Sequence, residues 1–473
     1  MPALEAMRTP PRRVLLRADM ERQSRVWSRR LLLTGLVLMP GAWVMTRWEQ
    51  SSLVMGFAAM FLFLIGYACI SPALIVRLCR YLQPLAAASG RFVVTMAVRN
   101  IAASLSRTGI AMITLMIAMA TAIGVAVMIS SFRLAVDDWL SHTLRADIYA
   151  SLPEDRPAGA APRIAADTIG AIRQLPGVEA ISLGQRFTIG TDSGPVNVMV
   201  LDVPQRGFRG YRFTRGDSDA AWRAFDAGEA VIVSEPYAYH HRLQPGDSVL
   251  LPVKGGTRRF PVAGVFKDYS SEHGVVVMNR KMLRQAGFDF LPATVGVYLA
   301  GSASKASVIA AVEELAARQS LLVRDKQVIH DASLQVFDRT FTVTQVLRLV
   351  TVIVAIVGVF SALLALHLER AREFAVLRAT GLDKTQLKLL VGTESAVIGL
   401  VSGMLAIPLG LALAAFLIFE INRRSFGWSM AFHGDLSQLV VALFLALVSA
   451  VAAGLYPAMK IAAARPADAL RYD

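Results

Sequence analysis

The sequence predicts an α-helical integral membrane protein with six spans and one large extracytoplasmic α+β domain. Three observations lead there. Of the 473 residues, 55% are hydrophobic and only 18% are charged, too apolar a balance for an ordinary soluble chain of this length. Uncharged runs of about 20 residues recur, the length a helix needs to cross lipid. Between the third and fourth runs lies a long stretch whose patterning alternates between period 2 and period 3.6.

The six runs are Leu31–Thr46, Ser51–Val76, Thr108–Phe132, Leu349–Leu368, Ser395–Phe419 and Leu436–Met459. The first is short, but Arg30 and Arg47 bracket it and can snorkel outward, and Trp48 is a common interface residue. A cleaved signal fits poorly there, because the basic leader is long and no small-x-small site follows. These runs divide the chain into a basic leader (1–30), two spans (31–76), a basic loop (77–107), one span (108–132), an outside region (133–342) and a three-span C-terminal part (343–473).

Charge placement sets the orientation. The formal net charge is +14, which on its own suggests an acidic polymer as partner. Yet the leader holds Arg8, Arg12, Arg13, Arg17, Arg22, Arg25, Arg29 and Arg30, and the first loop holds Arg77, Arg80, Arg91, Arg99 and Arg107 with no acid. Six crossings put these segments on one side with Arg370, Arg372, Arg378, Lys384 and Lys388 and with the tail. Lysine and arginine beside spans mark the cytoplasmic face, where they also meet anionic lipid headgroups. The basicity is therefore a topology signal, nucleic acid is not an expected partner, and both termini are expected in the cytoplasm. Of the two cysteines, Cys69 lies in a span and Cys79 just past its cytoplasmic end, so the outside region has to be held by an ordinary core.

Within the basic loop, Val94, Val98, Ile101 and Leu105 recur at helical spacing opposite Arg99, Asn100 and Arg107. That pattern predicts an amphipathic helix lying at the inner headgroup layer. The outside region reads as helix 164–174, a Pro176-Gly177 turn, strands from Val178 and through "VNVMVLDV", then strand, short helix, Pro-Gly-Asp turn and strand across "AVIVSEPYAYHHRLQPGDSVLL". A strand with a bend at Gly264, another at "ATVGVYLA" and a helix from Lys305 complete an α+β domain of small sheets. Its two ends, "FRLAVDDWLSHTL" and "ASLQVFDRTFTVTQVLRLV", look helical and predict a two-helix stalk. Ser151–Ala161, rich in Pro and Ala, is the expected flexible loop.

Catalytic signatures are missing from the sequence: no G-x-x-x-x-G-K-[ST], no G-x-S-x-G and no H-E-x-x-H. The chain is expected to be no enzyme, with no cofactor and no metal of its own. His240 and His241 are adjacent and diverge on a helix, so they do not suggest a shared metal ion. The spans proper carry no acid, which argues against an ion-coupled carrier.

The most distinctive segment is "HLERAREFAVLRATGLDKTQLKLLVGTESAVIGL", residues 367–400. Ala371, Phe374, Ala375 and Leu377 form an apolar side between charged residues. Gly381 sits where a helix would end in left-handed backbone. Asp383 is placed as an N-cap, with Gln386 at the capping-box position. The result is a helix-turn-helix elbow over 369–394 that runs into the fifth span. In that span Gly399 and Gly403 form GxxxG, and Gly410 follows Pro408. Small residues allow close helix approach, either within the chain or to another subunit. Glu394, at the mouth of the span, is expected to pair with a nearby arginine such as Arg378.

On these residues the chain resembles the FtsX-like permeases of ABC transporters, of the MacB and LolC/LolE types. Glu369, Arg370, Glu373, Phe374, Leu377, Arg378, Ala379, Gly381, Glu394, Gly399, Gly403 and Gly410 match the family's E-R-x-x-E-[IF]-x-x-L-R-A-x-G motif and the Gly-rich span after it. The tail "YPAMKIAAARPADALR", the segment "AVRNIAASLSRTGIAM", "LPGVEAIS" and "GEAVIVSEPYAYHHRLQPGDSVLL" resemble other parts of such proteins, the last two the MacB-like periplasmic core domain. The resemblance implies a bacterial inner-membrane permease whose elbow docks on a separate ATP-binding ATPase subunit. Arg370, Arg372, Glu373, Arg378, Gly381, Asp383 and Lys384 are then the coupling residues, and Gly399, Gly403 and Gly410 the helix-packing residues. It implies export or extraction of a lipid, lipoprotein, peptide or drug, with a protein or lipid cargo at the outside domain. The alternative is a non-transporting scaffold that transmits force or senses a periplasmic partner. The two leading spans resemble the middle of a longer ten-span class, so the expected assembly adds a second permease half or a second copy of this chain.

Overall fold

The computed structural model describes residues 17–48, 52–88, 92–103, 105–153, 163–191, 194–208, 210–369, 374, 376, 378 and 380–463. The chain forms two compact units. One contains 1–130, 343–421 and 432–473; the other contains 131–342 together with 422–431.

In the first unit, α1 (Arg17–Trp48), α2 (Leu53–Ala88), α3 (Phe92–Ala103) and the first part of α4 (Leu105–Thr143) precede the excursion into the second unit. Among the described residues five helices are long and apolar enough to cross a membrane: Arg29–Trp48, Leu53–Ala88, Thr108–Thr143, Lys384–Phe426 and Leu436–Leu455. The first of these has 20 residues, longer than the apolar run alone. The remaining run expected to span, 349–368, lies in the C-terminal half of a 44-residue helix that starts at Lys326.

The amphipathic helix of the basic loop exists as α3, but its apolar face does not lie free for headgroups. Ala97, Val98 and Ile101 are fully buried within the protein. Val98 and Ile101 join a core with Cys79 of α2 and Met112 of α4. Spacing alone cannot separate a helix face that meets lipid from one that meets other helices, since both are apolar.

The second unit starts at the C-terminal end of α4 and continues with β1 (Ile148–Ser151), α5 (Ala166–Gln174), β2 (Val178–Thr191), β3 (Gly194–Asp202), α6 (Gln205–Phe208), β4 (Phe213–Arg215), α7 (Ser218–Ala227), β5 (Val231–Ser234), α8 (Glu235–His240), β6 (Ser248–Val253), β7 (Gly256–Phe266), β8 (Val276–Asn279), α9 (Arg280–Gln285), β9 (Thr294–Leu299), α10 (Lys305–Ala317) and β10 (Leu322–Asp325). The strands do not form separate small sheets, as the sequence patterns suggested. They join in one path, β10-β1-β9-β2-β3-β8-β5-β7-β4, with β6 hydrogen-bonded to β7. The 14-residue β2 makes this possible. Its first half, Val178–Gly184, pairs with β9 and its second half, Leu183–Thr191, with β3, so it bridges two lobes.

Each lobe has its own core. On one side Ile148, Ala150, Ile181, Val295 and Val297 pack against Ile172 of α5 and Val308 and Val312 of α10. In the other, β5 and β8 are buried along their whole length. Their alternate residues serve two faces: Val231, Val233, Val276 and Met278 meet Tyr237, Met282 and Leu283, while Ile232 and Val277 meet Trp222 and Phe225 of α7. This is the period-2 logic of a strand covered on both sides. Complete burial of a side chain such as Phe225 contributes about 1.5–3 kcal/mol. The bend expected at Gly264 is present: the β5–β7 register skips a residue between Val262 and Gly264.

The end of α4 and the start of α11 (Lys326–Glu369), the two segments expected to form a stalk, pair inside the second unit. Arg133 donates to both carboxylate oxygens of Asp338, at 2.9 and 3.3 Å. His330 Nε2 lies 3.0 Å from Asp137, and Phe132 packs edge-on against Phe337 and Phe341. The ion pairs are half-exposed and contribute little; the rings set the pairing. Most of Ser151–Ala161, the expected flexible loop, lies outside the described residues.

Gly274 closes this lobe. It has φ +75°, and a Cβ there would meet Ser234 Oγ at 2.5 Å and Tyr237 Cβ at 2.7 Å. Ser234 Oγ in turn accepts from the Val275 N–H at 2.8 Å. Gly274→Ala is expected to destabilise the protein by about 1–3 kcal/mol, from left-handed backbone and crowding together. Thermal unfolding of the full chain in detergent reads this as a lowered midpoint.

Candidate functional site

The elbow is built from its turn outward. Gly381 has φ +109°, and its N–H donates to the carbonyl of Arg378 at 3.2 Å. Among the described residues, its chain neighbours aside, no heavy atom lies within 4 Å of where its Cβ would be, so backbone conformation calls for glycine there. Two residues on, Asp383 caps α12 (Lys384–Ala415). Its carboxylate accepts from the N–H groups of Lys384 at 2.7 Å and Thr385 at 3.4 Å. Gln386 Oε1 accepts from the Asp383 N–H at 3.2 Å, completing the capping box. These backbone donors hold the Asp383 carboxyl below the usual carboxylate range.

The elbow is braced from inside the unit. Phe374 is fully buried among Ala97 of α3 and Leu387, Leu390 and Val391 of α12, with Val93, Met96 and Leu382 around it. Glu394 is only 3% exposed. Its carboxylate accepts from Asn100 Nδ2 at 2.7 Å, a neutral donor that the sequence reading had placed on the polar side of α3 without a role. Arg370, Arg372 and Glu373 lie outside the described residues. Arg378, Gly381, Asp383 and Lys384 do fall together at the turn.

Gly399, Gly403 and Gly410 of α12 face other helices of the same chain. A Cβ at Gly399 would meet the Ala446 carbonyl at 2.8 Å and Ala450 Cβ at 2.7 Å, and one at Gly403 would meet Ala446 Cβ at 3.1 Å. Both contacts are with α14 (Leu436–Ala463). Gly410 faces α4, where its Cβ would meet Ile123 Cβ at 2.7 Å and the Ala120 carbonyl at 2.9 Å. Beside Pro408, the Tyr67 hydroxyl of α2 donates to the Leu405 carbonyl at 3.0 Å. Helix α12 thus runs tightly packed between α4 and α14. It ends in a π-helix (Phe416–Asn422), followed by α13 (Arg423–Phe426).

No group of three or more His, Cys, Asp or Glu side chains that could hold a metal occurs among the described residues. The site organises helices and presents charge at a capped turn.

Comparison with known proteins matches the same two regions. Residues 346–466 match the model of the FtsX-like permease C-terminal domain, and residues 108–318 match the MacB-like periplasmic core domain. An uncharacterised ABC transporter permease protein of Mycobacterium tuberculosis is 36% identical over 97% of this chain and 54% of its own length. The macrolide export ATP-binding/permease protein MacB of Chlorobium luteolum is 30% identical over 24% of this chain and 16% of its own. The chain thus spans about half the length of the first of these relatives. Among solved structures, the periplasmic region of MacB from Actinobacillus actinomycetemcomitans aligns over 40% of this chain and 94% of its own, at 11% identity and TM-score 0.30. The extracellular domain of the transporter YknZ from Gram-positive bacteria aligns over 38% and 98%, at 14% identity and TM-score 0.28.

Asp383→Ala is expected to fray the start of α12, whereas Asp383→Asn keeps a capping acceptor. Hydrogen exchange at the Lys384 and Thr385 amides checks this: faster in the alanine variant, near wild type in the asparagine variant. Gly403→Leu is expected to force α12 from α14 and lower the thermal midpoint in detergent.

Proposed function

We propose that this chain, which matches the FtsX-like permease C-terminal model over 346–466 and the MacB-like periplasmic core model over 108–318, is the membrane subunit of an ABC transporter through which a separate ATPase moves the MacB-like domain. The observation that carries the reading is the capped turn at Gly381–Gln386, braced by α3. A loop that only joined two spans would need neither a capping box nor the buried Phe374 beneath it. In this proposal the turn is cytoplasmic and the MacB-like domain is on the outer side of a bacterial inner membrane.

Arg370, Arg372, Glu373 and Arg378 supply the charged contact with the ATPase, and Gly381, Asp383 and Lys384 hold its shape. The sequence contains no phosphate-binding G-x-x-x-x-G-K-[ST] loop, so ATP binds the partner. Work passes along α4 and α11, each a single helix whose residues are divided between the two units. The cargo is a lipid, lipoprotein, peptide or drug, handled at the MacB-like domain. A second permease half or a second copy of this chain completes the transporter.

Arg370→Glu combined with Arg372→Glu is expected to abolish co-purification of the ATPase while membrane insertion persists. Unchanged co-purification from correctly inserted protein would refute the coupling role.

A further inference from the structure

The ten residues 422–431 join two helices of the membrane unit, yet they belong to the compact body of the MacB-like domain. The chain leaves the membrane unit at Ile421 and re-enters it at Phe432. We propose that this loop is a latch that fastens the C-terminal membrane helices to the MacB-like domain, a mechanical connection additional to the stalk helices. The proposal rests on the coupling role given above.

The contacts are polar and specific. Ser429 Oγ donates to the Glu235 carboxylate, whose two oxygens both lie at 2.8 Å, and the Ser429 N–H reaches the same group at 3.3 Å. The Tyr269 hydroxyl donates to the Ser429 carbonyl at 2.6 Å. One residue of the loop is therefore held through its side chain, its N–H and its carbonyl. Charge-assisted hydrogen bonds of this kind are roughly twice as strong as neutral ones.

Aromatic packing surrounds these bonds. Trp428 stacks on Phe132 of the stalk at 5.3 Å and on Phe426 at 4.7 Å, and it meets Tyr269 edge-on at 5.7 Å. Gly427 has φ +73°, and a Cβ there would lie 2.8 Å from Pro236 Cα and 3.1 Å from Tyr239 Cβ, so the loop backbone presses directly on α8. Arg423 lies over the Tyr239 ring at 6.0 Å. On the domain side Asp268 is buried, and its carboxylate accepts from the Ser270 N–H and hydroxyl at 3.0 Å each, fixing the turn that presents Tyr269.

A second observation lies at the border itself. The π-helix Phe416–Asn422 occupies the residues where the chain passes from one unit to the other. Such wider turns are uncommon and recur at functional sites. A locally altered helix beside a firmly held loop provides give at one point and grip at the next.

The test uses the full chain reconstituted in nanodiscs with its cognate ATPase. In the wild type, the Ser429 amide is expected to exchange slowly. Trp428→Ala with Ser429→Ala is expected to speed exchange across 422–431 at least tenfold, while Trp428→Phe stays near wild type. Domain movement is read by electron spin distances between labels at Leu250→Cys and Trp48→Cys, with Cys69→Ser and Cys79→Ala. The double variant is expected to keep ATPase co-purification and the domain's melting transition but to lose at least half of the ATP-dependent distance change. Free-loop exchange in the wild type, or a full distance change in the double variant, would overturn the latch. Failure of the wild type to bind the ATPase would instead overturn the coupling role.

Discussion

A backbone that crosses lipid has to satisfy its own hydrogen bonds, because the hydrocarbon offers no water to do so. The membrane unit follows from that constraint. Its described spans are continuous helices, and the places where the helical ladder must stop are supplied with partners. At the start of α12 the Asp383 carboxylate and the Gln386 amide take over the free N–H groups. Tyr67 adds a donor to the Leu405 carbonyl, next to the Met404 carbonyl that Pro408 leaves without its helical N–H.

Satisfied helices still need a reason to associate, since lipid chains are as apolar as leucine. Here the reason is closeness. Gly399, Gly403 and Gly410 let backbone approach backbone along α12, on one side to α14 and on another to α4. The hydrogen bond of Asn100 to Glu394 then fixes α3 against the same helix. Dispersion sums over such close surfaces, and one well-placed hydrogen bond sets their register. The MacB-like domain solves a different problem, in water, with two-faced strands that feed alternate residues into separate cores.

Much of this was legible in the sequence, and for local reasons. The capping box at Asp383, the left-handed Gly381 and the bend at Gly264 are each written within a few residues. Strand and helix patterns in the outside region also held, because period 2 and period 3.6 differ visibly in "VNVMVLDV" and "SKASVIAAVEELAARQ". What escaped was long-range. The single strand path depends on parallel β3–β8 and β5–β7 pairings across distant segments, which no local pattern encodes. The burial of α3 escaped because an apolar face does not state what covers it. Ser429 and Trp428 escaped because their partners Glu235, Tyr269 and Phe132 come from far earlier in the chain; the aromatic-rich loop "SFGWSM" was the only signal.

The placement of 422–431 has a bearing on biosynthesis. Residues 343–421 are translated after the body of the MacB-like domain and before its last piece. Until that piece emerges, Glu235, Tyr269 and Phe132 lack the partners that Ser429 and Trp428 supply. The globule is therefore completed in two stages, one before and one after residues 343–421 are made.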